Sequence, residues 1–256
     1  MCSNYIPARI DTLAQYFDIN QVDFAYQAES YPGQMAPILK AAPTGGVECV
    51  PACFGMVPHW ADMKLARQTY NARSETVAEK PSFRNAWRRQ QFCVVPLEAF
   101  FEPNYESGRA VRWKIGAGDG HPLGVAAIWE LRKAGFDGQG ALFSFSMLTI
   151  NADQHPLMQR FHKPEDEKRM LVILHPDQYA SWMQASIADA LSMLQPYPAD
   201  ELMAEAAPRL LGSRGGSNRS EVASTSAGTS AASNVDAGAA TEAPLENDTP
   251  QLWLED

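Results

Sequence analysis

FCVVPLEAFFEP (92–103) decides how the chain is read. Its first half, FCVVPL, is a short apolar run rich in β-branched and aromatic side chains, the pattern of a buried strand. Its second half places one carboxylate, Glu102, after Ala99-Phe100-Phe101 and directly before Pro103, where a partly desolvated strand-end pocket is expected. Working outward, five more runs read as strands: FGMVP (54–58), VRWKI (111–115), LGVAAIWEL (123–131), ALFSFSMLTI (141–150) and MLVIL (170–174). Gly-rich connections such as GAGDGHP (116–122) and AGFDGQG (134–140) favour antiparallel hairpins or a meander. A short helix is expected over 7–17, with Ile10, Leu13 and Phe17 at helical spacing, and another from His175-Pro176-Asp177 to Met183. The mixture is α+β. Strands do not alternate with long helices, which argues against a Rossmann or βα-barrel pattern. No internal repeat is visible.

The chain has 256 residues, 45% of them hydrophobic, enough for a substantial core. Four cysteines (2, 49, 53, 93) are too sparse for a disulfide framework. Cys49 and Cys53 lack a second ligand pair, so no metal site is expected. No Gly-rich phosphate loop and no GxSxG nucleophile motif is present, and no cofactor is expected. No apolar run reaches the ~18 residues of a membrane span. The N-terminus has no basic region followed by an apolar one, so a reduced, cytoplasmic protein without a membrane partner is expected.

The formal net charge of −9, taken whole, argues against a nucleic-acid partner. Its distribution changes that. Composition shifts near 212 to Ala, Gly, Ser, Thr and Asn, so 1–211 is expected to fold and 212–256 to form a disordered acidic tail. Pro196, Pro198 and Pro208 mark the approach to that boundary. Residues 196–256 carry three Arg against ten acids, whereas 1–195 carry 18 basic and 20 acidic residues. Between Lys64 and Arg89 there are seven basic residues and two acids, interleaved with Tyr70, Phe83 and Trp87 and preceded by Trp60. Such a stretch can neutralise phosphates and stack on unpaired bases. It can equally be a solvated helix face with Trp87 in the core.

Several residues could carry chemistry. Removal of Met1 would leave Cys2 as an N-terminal 1,2-aminothiol, whose α-amine (pKa about 7.7–8.0) is partly neutral at pH 7. That amine condenses with an aldehyde to an imine, and the thiol then closes a five-membered thiazolidine. Otherwise Cys2 is an ordinary residue of a frayed terminus. Glu102 suits proton transfer if its pocket is desolvated, or is a surface group on an edge strand. His162, in QRFHKPEDEKRM (159–170), serves as acid or base near neutrality, or is simply solvated. Asn71, in YNARSETV (70–77), precedes a potential N-cap at Ser74, and Arg73 beside it can hold a phosphate or stay a surface charge. His121, His155 and His175 each adjoin a proline and read as turn residues.

In order along the chain, MCSNY (1–5), FGMVPHW (54–60), YNARSET (70–76), FCVVPLEAFFEP (92–103), SMLTINAD (146–153) and FHKPEDEKRMLVIL (161–174) resemble the motifs of the SRAP family. These are the abasic-site processing proteins linked to the bacterial SOS response and its eukaryotic counterpart. The resemblance spans about residues 1–185. It implies a compact domain around a bent, barrel-like, mainly antiparallel sheet with flanking helices. It also implies a covalent thiazolidine crosslink from Cys2 to abasic sites in single-stranded DNA. By motif, Asn71 would position the sugar, Glu102 would promote proton transfer, and His162 would assist opening of the deoxyribose. Arg73 would bind a flanking phosphate, and Trp60, Arg84, Trp87, Arg88 and Arg169 would complete the DNA-facing set. Departures from the commonest pattern are Ser3-Asn4 for Gly-Arg, Phe54 and Pro103 where Trp is usual, and Leu171 for Pro.

Two readings from other classes stand beside this one. Cys2 with His162 and Asn71 could form a cysteine-type peptidase or amidase, or the chain could bind single-stranded DNA without a covalent step. Gln251-Leu252-Trp253-Leu254 resembles part of a bacterial sliding-clamp-binding peptide, suited to weak docking from a flexible tether. A monomer is expected.

Overall fold

Residues 92–104 form one 13-residue strand, and this strand organises the molecule. The computed structural model describes residues 2–133 and 140–208. In chain order the elements are β1 (Tyr5–Pro7), α1 (Ile10–Phe17), β2 (Met35–Ala41), β3 (Val47–Phe54), β4 (Asn71–Arg73), α2 (Arg84–Arg88) and β5 (Phe92–Asn104). There follow β6 (Val111–Ala117), β7 (Leu123–Arg132), β8 (Leu142–Asn151), β9 (Arg169–Leu171), β10 (Ile173–Leu174), α3 (Tyr179–Met183), α4 (Ile187–Met193) and β11 (Leu202–Ala206). The chain divides into a unit of residues 1–212 and a second of 213–256. The second lies outside the described residues, as do most of the AGFDGQG connection, the expected tail and the Gln251–Leu254 motif.

Five strands close a ring: β5 bonds β7, β7 bonds β8, β8 bonds β3, β3 bonds β2, and β2 returns to β5. All of these pairings are antiparallel except β3–β8. Closure satisfies backbone groups that an open sheet would leave at its edges. β5 belongs to this ring only in its first half, where Phe92–Leu97 pair with β7. Beyond Glu98 it leaves the ring and pairs Phe100–Asn104 with β6, while β1 lies along Leu97–Phe100 on its other side. The bend carries Glu102 out of the barrel toward β1. This is the expected bent, barrel-like, mainly antiparallel α+β fold.

Phe54, Phe92, Phe100, Phe145, Ile38 and Trp182 are among the fully buried side chains. Trp182 of α3 donates its indole N–H to Cys93 O at 2.9 Å, which satisfies the polar atom of a ring otherwise surrounded by carbon. Phe54 stacks on Phe145 and meets Tyr5 and Tyr70 edge-on, so the residue standing in the usual Trp position is a core residue.

Several expectations need correction. The first helix begins at Ile10 because Tyr5–Pro7 are captured as a strand by β5. In FGMVP only Phe54 is strand: Gly55 has φ +113, and the chain turns there. No helix follows Ser74, since 74–79 are successive turns. Beyond Pro196 and Pro198 the chain still adds β11, which pairs along β6. His155 does more than shape a turn. Its Nε2 bonds Tyr197 O at 2.8 Å, and its Nδ1 accepts from the Leu157 and Met158 amides, stapling that stretch down.

Candidate functional site

Strand β1 runs beside the outer half of β5, so the residues before it lie near Glu102. Cys2 is buried, and its thiol donates to Asn4 O at 3.3 Å. Asn4 O also accepts the Phe101 amide at 3.2 Å. The Cys2 carbonyl accepts Asn71 Nδ2 at 2.8 Å. Asn71 is placed by β4, a three-residue strand laid parallel to β8 with Asn71 opposite Met147. Its other amide atom, Oδ1, is buried and has no hydrogen-bond partner among the described residues. A buried acceptor left open in this way is suited to a ligand.

Glu102 and His162 are both buried, with His162 Nε2 and Glu102 Oε2 2.8 Å apart. The loop carrying His162 is docked onto β5: Phe161 bridges Asn104, and the His162 amide donates to Pro103 O at 2.8 Å. His162 itself has φ +64, a left-handed conformation uncommon for a side chain with a Cβ. The docked loop thus returns the imidazole to the carboxylate.

Burial pushes the Cys2 thiol well above its ordinary range, and the nearby Glu102 charge adds to the effect. The same two groups, after burial, raise the Tyr70 phenol. Tyr70 therefore belongs to the site, as does Trp113. In register Trp113 stands directly opposite Glu102 and shares its face of the sheet. Trp113 packs edge-on to Phe161, and the Arg160 guanidinium lies 5.1 Å from its ring centre. Only strand register places Trp113 there; nothing in VRWKI taken alone marks it.

A groove of about 310 Å³ runs outward from Asn71, past Arg73, Thr76 and Lys80 to Phe83. Arg73 is half-exposed and paired with Glu167 at 2.7 Å. All seven basic residues of 64–89 are exposed, Arg84 and Arg88 included. Trp60 is 54% exposed. Two members of the expected DNA-facing set are not on the surface. Trp87 is buried, edge-on to Phe92, because α2 turns its apolar side inward. Arg169 is buried in a two-pronged pair with Glu75, with further bonds to Glu167 and Thr149 O. Both of its terminal nitrogens are engaged, while the buried Nε has no partner among the described residues, so it serves as an internal clamp between β9, β8 and the turn after β4.

A family model described as SOS response associated peptidase (SRAP) matches residues 1–213. The chain belongs to the SRAP family. Among SRAP relatives, the abasic site processing protein YoqW of Bacillus subtilis is 27% identical over 215 residues, covering 80% of this chain and 91% of that protein. YobE of the same organism, also called an abasic site processing protein, is 27% identical over 215 residues, covering 80% and 93%. A crystal structure of a Bordetella bronchiseptica protein superposes with a TM-score of 0.75 at 34% identity, covering 81% of this chain and all of that one. A Bacteroides thetaiotaomicron structure gives a TM-score of 0.66 at 23% identity over 80% and 91%, and shares the fold. The ordered motifs that resemble the SRAP family thus lie in a chain that belongs to it.

Proposed function

We propose that this SRAP protein acts on abasic sites in DNA, as its relatives' names indicate, and captures them in single strands as a thiazolidine on Cys2 once Met1 is removed. The observation that carries this is the convergence on residue 2 of Asn71, through its amide, and of the buried Glu102–His162 pair. The ring-opened deoxyribose presents an aldehyde at C1′. The Cys2 amine adds to it, and loss of water leaves an imine. The thiol sulfur then bonds to C1′ while its proton passes to the former imine nitrogen, so the ring closes with net release of one water. Glu102 accepts and returns protons in these steps. His162, hydrogen-bonded to it, assists opening of the sugar. The open Oδ1 of Asn71 is an acceptor for a sugar hydroxyl, while Arg73, Arg84 and Arg88 meet flanking phosphates and the exposed Trp60 ring meets a base. A bare imine at C1′ invites β-elimination and strand cleavage; the thiazolidine avoids that route.

A cysteine peptidase needs its thiolate at neutral pH. Here burial and the nearby Glu102 charge raise the thiol above its ordinary range, which weighs against that reading. The test mixes Met-processed protein with abasic and intact single-stranded oligonucleotides and resolves the products on denaturing gels. A heat-stable adduct confined to abasic DNA and lost in Cys2→Ala is expected. Cys2-dependent peptide turnover without an adduct would point to a peptidase. Reversible binding indifferent to Cys2→Ala would point to a binding module.

A further inference from the structure

Chain termini fray unless tied down. The proposed reaction needs both nucleophiles of residue 2 held in place, where a misplacement of about 1 Å can cost about 100-fold in rate. Asn71 and the Phe101 amide fix the carbonyls of Cys2 and Asn4. The Asn4 side chain is a separate matter. It is 7% exposed, and an amide so buried is costly unless bonded.

Its Nδ2 donates to Glu29 Oε1, and that same oxygen accepts from Tyr31 OH and Arg112 Nη2. One carboxylate therefore gathers donors from the N-terminal segment, from its own loop and from β6. Arg112 lies over Phe101, its guanidinium carbon 3.2 Å from the ring centre. Phe101 is the residue whose amide holds Asn4 O. Next to Glu29, Ser30 exchanges two backbone bonds with Tyr5, at 3.2 and 2.8 Å. The loop between α1 and β2 thus covers the side of β1 that β5 leaves open, and Glu29 is where that cover reaches the residues just before β1. Glu29 is bonded to the Asn4 side chain, and it is the Asn4 carbonyl that meets the reacting thiol, at 3.3 Å.

We propose that Glu29 is a positioning residue: through Asn4 it sets the place of Cys2 relative to Asn71 and Glu102. This rests on the Cys2 chemistry proposed above. The test uses full-length, Met-processed Glu29→Ala and Glu29→Gln beside the unsubstituted protein. Three quantities are measured: single-turnover adduct formation over a range of abasic oligonucleotide, amide exchange along the chain, and labelling of Cys2 by an N-terminal-cysteine-selective nitrile. In Glu29→Ala the adduct rate at saturating DNA is expected to fall about 10- to 100-fold, with the half-saturating concentration unchanged. Exchange at Tyr5 and Ser30 rises at least about tenfold while β7 and β8 stay protected, and nitrile labelling becomes faster as Cys2 is uncovered. Glu29→Gln keeps an oxygen for Asn4 and recovers most of the rate. Loss of protection throughout the barrel, unchanged exchange at Tyr5, or a change in half-saturation alone would overturn the proposal. If the unsubstituted protein forms no adduct, the Cys2 chemistry falls, while exchange and labelling still decide whether Glu29 holds residue 2.

Discussion

At residue 2 burial, and after it the Glu102 carboxylate, set the chemistry of the thiol. Because its pKa is raised, Cys2 carries less thiolate at any given pH than a free cysteine. Alkylation of Cys2, followed by peptide mass, is expected to be slow at pH 8 and still rising at pH 10, beyond the point near 8.5 where an ordinary thiol passes half-ionisation. Glu102→Gln removes the adjacent charge and should speed alkylation at fixed pH, while burial keeps the thiol above its usual range. Asn71→Ala leaves the Cys2 carbonyl buried without its donor. Its expected cost is about 1–3 kcal/mol of stability, read by denaturant titration, together with a slower adduct. The chemistry of these side chains follows from residue type. That Asn71 would find the carbonyl of Cys2, 69 positions away, does not.

Among the elements, the turn after β3 and the clamp on β9 show how backbone and charge position the site. Gly55 has φ +113, and a Cβ there would fall 2.1 Å from Ala66 O, a backbone atom that cannot swing aside. Gly55→Ala is therefore expected to destabilise by about 3 kcal/mol or more, seen as a lower Tm. Arg169 holds Glu75 and Glu167 below the usual carboxylate range through hydrogen bonds. Carboxylates depressed on folding add stability above their unfolded pKa values, and that stability is lost as pH falls through the folded ones. Both are partly exposed, so solvent screens the effect. Arg169→Met should flatten the acid limb of a stability–pH curve without changing the salt dependence of DNA binding. β2 and β3 escaped the sequence reading because Pro37 and Pro51, both poor strand residues, face each other across the pair.

Over the whole molecule, charge is segregated along the chain. Residues 213–256 hold two Arg and seven acids, while the seven basic side chains of 64–89 are all exposed. Removing 213–256 is expected to strengthen non-specific single-strand binding several-fold at about 50 mM salt, with the gain fading toward about 300 mM as screening takes over. Fluorescence anisotropy across a salt series checks this. Adduct yield at saturating abasic DNA should not change, since the proposed capture uses residues within 2–162.

The sequence alone determined the kinds of chemistry available, most of the barrel strands, the partition of charge and, through its ordered motifs, the likeness to a family. These are properties of residue type and short-range periodicity, which the chain carries whatever it packs against. Tertiary structure alone decided that β5 serves the barrel with one half and the site with the other. It also brought Glu102 to His162 across 60 positions, left Trp60 in solvent while burying Trp87, and spent Arg169 on a clamp. Those outcomes depend on strand register and on which apolar faces meet. The free energy that selects them comes from contacts between segments far apart in the chain, which no local pattern records.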